Sequence, residues 1–163
     1  MTKSSILARL LTAATLTACA IAPTVASATT LPEMIAQNPA YQARWKAITA
    51  DVRATDREIG YVKNLSGPVL PVQTINIEGR RLVVGYVCQI SNCNGNNVFA
   101  AIEPATGGIW AIHRRHLDVM PRYQFFGNPD KLMKSIIFKQ MTDHDERLRE
   151  ESEAMQPPTS RNR

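Results

Sequence analysis

From residue 69 to residue 113 the chain runs through four short β-rich segments joined by tight turn residues. None of the joins is long enough to hold a crossover helix, so consecutive segments must pair antiparallel. Segment 69–77 (VLPVQTINI) carries Pro71, which points to an edge position or a bulge because proline cannot donate to a ladder. Glu78-Gly79 is a hairpin turn. Segment 80–88 (RRLVVGYVC) then alternates, with Leu82, Val84, Tyr86 and Cys88 on one face. Asn94-Gly95-Asn96 is a second turn, and 97–103 (NVFAAIE) reads as a buried strand. Pro104 to Gly108 turns again, and 109–113 (IWAIH) is the fourth strand.

The period changes on either side. Residues 31–54 read as helical, with Tyr41, Trp45, Ile48 and Val52 at i, i+4, i+7 and i+11. Asn38-Pro39 is a helix start, giving two short helices or one broken at Pro39. Asn128-Pro129-Asp130 repeats that signature ahead of a face made by Leu132, Met133, Ile136, Ile137 and Met141. The expected fold is α+β: a central antiparallel meander flanked by N-terminal and C-terminal helices. Residues 29–142 form one domain with one core, and 143–163 form a charged helix end and a disordered tail, QPPTSRNR.

Lys3 and Arg9 open the chain, an apolar run follows to about Ala22, Pro23 breaks it, and Ala26-Ser27-Ala28 offers a small-x-small cleavage site. Residues 1–28 are thus expected to be a secretory signal peptide, too short in its apolar run for a membrane span. Leu16-Thr17-Ala18-Cys19 also resembles a bacterial lipobox, in which Cys19 is lipidated and becomes the new N-terminus. The first route gives a periplasmic protein. The second gives an outer-membrane lipoprotein, the one case in which the chain meets a membrane. Loss of residues 1–28 removes Lys3 and Arg9 and leaves 17 basic and 14 acidic side chains, a net charge of +3. So mild an excess gives no reason to expect nucleic acid.

Either route places Cys88 and Cys93 in an oxidising compartment as the only internal cysteines. A zinc pair is the alternative, but no second Cys or His pair stands at ligand spacing, so no metal is expected. A disulfide closing so short a loop contributes on the order of 2 kcal/mol, too little to staple a fold but enough to stiffen the tip Gln89-Ile90-Ser91-Asn92. A stiff protrusion suits insertion into a partner's cleft, since less conformational entropy is lost on binding.

The tryptophan-bearing N-terminal helix, LSGPVLPVQTINIEGRRLVVGYVC, the bridged loop, NVFAAIEPATGGIWAI and FFGNPD resemble, in this order, the Ivy family. These are inhibitors of vertebrate c-type lysozyme exported by Gram-negative bacteria. The resemblance spans roughly residues 31–141 and implies a central antiparallel sheet flanked by helices. It also implies that the bridged loop enters a lysozyme cleft, where the family's C-x-P-H-x-C histidine hydrogen-bonds the two catalytic carboxyls. Here the loop reads Cys-Gln-Ile-Ser-Asn-Cys, with Ile90 for the proline and Ser91 for the histidine. Ser91 can donate one hydrogen bond and Asn92 two, but neither carries charge.

The expected function is inhibition, without catalysis or cofactor, of a lysozyme or lytic-transglycosylase-type peptidoglycan hydrolase by residues 89–92. The alternative is a non-inhibitory cell-envelope binding module. It would use the run His113-Arg114-Arg115-His116, a basic edge in which the two histidines face opposite sides. A homodimer is a further possibility for either. No Ser/His/Asp or Cys/His arrangement and no phosphate-binding glycine loop accompanies these residues.

Overall fold

The computed structural model describes residues 29–53, 55–117 and 120–155. The expected signal peptide, Cys19 and the tail 156–163 lie outside the described residues. The chain runs α1 (Leu31–Ala36), α2 (Pro39–Ile48), α3 (Gly60–Asn64), β1 (Val69–Ile77), β2 (Arg80–Cys88), β3 (Asn96–Glu103), β4 (Gly108–Leu117), β5 (Met120–Phe126) and α4 (Lys131–Met155). The five strands form one sheet in sequence order, and every neighbouring pair is antiparallel.

Local chemistry explains the helix starts. The Glu33 carboxylate accepts from the Thr30 N–H (2.8 Å) and hydroxyl (2.9 Å), closing a capping box over α1. Those bonds hold the Glu33 carboxyl below its ordinary pKa. Asn38 Oδ1 accepts from the N–H of Ala40 (2.9 Å) and Tyr41 (3.4 Å), with Pro39 at the first position of α2. Asp130 Oδ1 accepts from the Met133 N–H at 2.7 Å at the start of α4. The helical stripe expected to reach Val52 stops earlier. α2 ends at Ile48, and Val52 enters the core from a turn, its N–H donating to Thr49 O at 3.0 Å.

The sheet is sandwiched between two helical layers. Leu31, Trp45 and Val62 from α1, α2 and α3 cover one face, against Val87, Val98, Ala100, Ile102, Ile109, Ala111 and Phe126. Gly85 makes room there: a Cβ on it would lie 2.6 Å from Leu31 Cβ. Met133, Ile136, Ile137 and Met141 of α4 cover the other face, against the expected row Leu82, Val84, Tyr86 and Cys88. Each large side chain removed from water in these layers contributes about 1.5–3 kcal/mol. All eight residues of β3 are buried, as the middle strand of a covered sheet should be.

Three features depart from expectation. β4 runs to Leu117, past the expected end at His113. A fifth strand pairs with it from Ala111–Phe126 to Leu117–Met120. The short helix α3 precedes the turn into β1, its entry fixed by Asp56 Oδ1 accepting from the N–H of Glu58 at 2.8 Å. Pro71 is both at an edge and at a bulge. β1 is an outer strand, and its register against β2 shifts between Leu70 and Gln73.

Candidate functional site

The β2–β3 connection is a small closed structure. Cys88 and Cys93 are joined by a disulfide, with Cα atoms 4.8 Å apart. Cys88 is fully buried at the end of β2, and its N–H donates to Pro68 O at 3.0 Å. Inside the loop, the Asn92 N–H donates to Gln89 O (3.0 Å), and the N–H groups of Gly95 (3.2 Å) and Asn96 (2.8 Å) donate to Asn92 O. Asn97 Nδ2 donates to Cys93 O at 2.9 Å. Backbone bonds from the N–H groups of Gln89, Asn92, Gly95 and Asn96 thus run within the turn and, with the disulfide, restrict its shape.

The four residues between the cysteines divide into two roles. Gln89 faces inward: its Nε2 donates to Arg57 O (2.7 Å), and its Oε1 accepts from Asn96 Nδ2 (2.5 Å). Gln89 therefore brackets the loop to residues 56–59 and is not part of the exposed apex. Ile90 is 69% exposed, and Ser91 and Asn92 are exposed beside it. Ser91 sits at φ 65°, in the left-handed region that non-glycine residues seldom occupy. The Asn92 amide lies over Gly95, where a Cβ would come within 2.4 Å of its Oδ1. The apex thus presents an aliphatic side chain, a hydroxyl and an amide at fixed positions.

The run His113-Arg114-Arg115-His116 lies in β4, between β3 and β5, and so not at an edge of the sheet. Its cations are largely engaged. Arg114 donates to both carboxylate oxygens of Asp145 on α4, at 3.0 Å for the Nη2–Oδ1 bond, and is 11% exposed. Arg115 pairs with Glu58. His116 is exposed, and its N–H donates to Gly95 O at 2.8 Å, tying β4 to the bridged loop. His113 is 2% exposed, with the Tyr61 ring edge-on to it at 5.9 Å. Burial, and then the Arg115 charge, push the His113 pKa down to about 4, with Asp56 opposing.

Sequence reasoning gave His144 no role, yet it is buried on α4 with its ring 4.8 Å from that of Tyr86 and 5.3 Å from that of Phe99. Burial lowers its pKa too. Several buried polar atoms behind the tip have no protein partner, among them Tyr61 Oη, His113 Nε2, Asn96 Oδ1 and Asn97 Oδ1. Among the described residues no cluster of three or more His, Cys, Asp or Glu side chains stands ready to hold a metal. None of the helices there is long and apolar enough to cross a membrane. The chemistry that the apex itself offers is recognition by apolar contact and neutral hydrogen bonds.

No protein-family model matches the chain. It is similar to an uncharacterized protein of Pseudomonas aeruginosa, 21% identical over 120 residues that cover 68% of this chain and 76% of that protein.

Proposed function

We propose that this chain is an exported inhibitor of a muramidase-type peptidoglycan hydrolase, a lysozyme or a lytic transglycosylase, and acts by lodging the apex Ile90-Ser91-Asn92 in the catalytic cleft. The observation that carries this reading is the disulfide-closed loop, cross-braced by backbone bonds to Gln89 O, Asn92 O and Asn96 O, from which Ile90 stands 69% exposed. A tip that keeps one shape when free loses little entropy on insertion. Enzymes that cleave between sugars work with a protonated acid and, in lysozymes, an ionised partner on either side of the bond. A hydroxyl placed between such groups can donate to the ionised one and accept from the protonated one, and Ile90 fills the space of a sugar ring. The resemblance to the Ivy family supports the same mode, with a neutral hydroxyl replacing a histidine.

Membrane or glycan docking through the basic run has less support, because Arg114 and Arg115 already hold Asp145 and Glu58. The test is binding and inhibition against a panel of lysozymes and lytic transglycosylases. Ser91→Ala should weaken binding to a responsive enzyme by roughly 1 kcal/mol, about fivefold. Ser91→Asp should weaken it further by setting like charges together in a desolvated cleft. The reading fails if inhibition of the responsive enzyme is unchanged when Ile90, Ser91 and Asn92 are all alanine.

A further inference from the structure

β4 and β5 gather a second set of polar groups on the sheet face away from α4. Their register sets His113 against Gln124 and Arg115 against Arg122. Residues two apart on a strand share a face, and His113 continues the row of Ile109 and Ala111 beneath the N-terminal helices. All four side chains therefore belong to that face. Opposed Cα atoms lie about 4.5–5.5 Å apart and positions two along a strand about 7 Å apart, so the four outline an area the size of a small organic molecule. A cleft of about 280 Å³ opens there, lined by Ile59, His113, Arg115, Arg122, Tyr123 and Gln124.

Three observations point to an anionic occupant. Arg115 and Arg122 stand directly opposite each other, and like charges so placed repel unless something of opposite sign lies between them. The lining includes no carboxylate. On the adjoining segment, Glu58 pairs with Arg115 Nη2, and Asp56 Oδ1 accepts from the N–H groups of Glu58 (2.8 Å) and Ile59 (3.3 Å). Finally, buried polar atoms remain open: His113, 2% exposed, has no partner for Nε2 among the described residues, and Arg115 has none for Nε.

We propose that this cleft binds a small organic carboxylate, its charged group between the Arg115 and Arg122 guanidiniums, with the His113 ring, protonated at Nε2, and the Gln124 amide as further donors. Guanidinium forks match the two oxygens of a planar carboxylate. Burial keeps the His113 ring neutral, so it supplies a hydrogen bond while the arginines supply the charge. Ile59 forms an apolar wall, which favours a carboxylate carried on an aliphatic group over a bare inorganic ion. None of these residues belongs to the apex Ile90-Ser91-Asn92, so the site stands or falls apart from the inhibitory reading.

The test is an NMR titration of amide and imidazole signals in the full exported chain with N-acetylalanine, whose one charge is a carboxylate. Saturable shifts are expected at 59, 113, 115, 122 and 124, with a Kd on the order of 1 mM. The uncharged methyl ester of the same compound should give none. Arg122→Gln, at an exposed position, should raise the Kd about tenfold or more. Glu58→Gln releases Arg115 from its partner and should lower the Kd several-fold. Arg81→Gln, exposed on β2, changes the net charge as Arg122→Gln does and should leave the Kd within about twofold. The proposal is overturned by any of four results: no saturable shift up to about 20 mM, equal binding of the ester, a Kd that Arg122→Gln moves no more than Arg81→Gln, or inorganic phosphate binding as tightly as the carboxylate. The first would mean that water alone fills the cleft.

Discussion

The two ends of the sheet are closed by different means. At one end, β1 and β2 are joined by Glu78-Gly79, both at positive φ (50° and 75°), a two-residue turn whose twist matches the strands. β3 and β4 are joined there by residues 104–107, with Gly107 at φ 70° and its N–H on Glu103 O at 2.9 Å. Backbone conformation does most of the work, supplemented by Arg80 on Glu103 (2.7 Å) and the Thr106 hydroxyl on the same carboxylate (2.7 Å). At the other end, closure depends on side chains: a disulfide, the Gln89 bracket, the Arg115–Glu58 pair and a buried histidine. Turn chemistry is enough to return a strand. Holding an exposed apex in one shape requires cross-links from several parts of the chain.

Acid should separate the two ends most. His113 is neutral in the folded protein with a pKa near 4, below the ordinary 6.5. Its unfolded form therefore binds more protons between these values. Stability is fully present above pH 6.5 and falls as pH drops toward 4, by on the order of 3 kcal/mol at about 1.36 kcal/mol per pKa unit. His144 is shifted in the same direction and adds to the slope. At the other end, the hydrogen bonds from Arg80 and Thr106 lower the Glu103 pKa from 4.5, so its contribution holds above that value and is lost only below it. Urea unfolding from pH 7 to pH 4.5 should show a falling midpoint, and His113→Leu should flatten much of the fall. A wild-type midpoint independent of pH in this window would show that His113 is not held neutral by burial.

The disulfide should come next. Replacing both Cys88 and Cys93 by alanine should cost about 2 kcal/mol, the low range expected for so short a loop. Amide exchange should quicken at 89–96 and stay unchanged at Glu78-Gly79 and 104–107. An equal rise at both ends would mean that the bridge supports the whole sheet and not its tip.

The parts of the fold that were legible in the sequence are the parts governed by local rules. The alternation of β2, the caps at Asn38 and Asp130 and the α4 face through Met141 all follow from neighbours a few positions apart. β5 escaped because an exposed outer strand needs no alternation. Pro121, Arg122 and Gln124 interrupt the apolar residues, and only Phe126 is buried. α3 escaped because five residues are too few to show a helical period. The burial of His113 was hidden by Arg114 and Arg115, whose carboxylate partners Asp145 and Glu58 come from distant segments. At the site, the spacing of Cys88 and Cys93 pointed to the closed loop. The inward turn of Gln89 was not visible, since its acceptor, Arg57 O, belongs to a segment remote in sequence.

That bracket supplies the smallest and most local distinction between the ends. Gln89→Ala removes the donor to Arg57 O and the acceptor for Asn96 Nδ2 together, while the disulfide and the loop's backbone bonds remain. A net loss of about 1–2 kcal/mol is expected, because water can reach Arg57 O but the Asn96 amide, 5% exposed, is left without that acceptor. At the other end, Arg80→Ala breaks an ion pair that solvent partly screens, with Arg80 27% exposed, and should cost under about 1 kcal/mol. The two substitutions differ more in where they act than in size. Gln89→Ala should speed amide exchange both at 89–92 and at 56–59, because one bond ties the two segments together. Arg80→Ala should alter exchange only near 78–81 and 103–108. If Gln89→Ala leaves 56–59 unchanged, that segment is held by Arg115 and Glu58 alone, and the apex rests on its disulfide and its own backbone bonds without a brace from below.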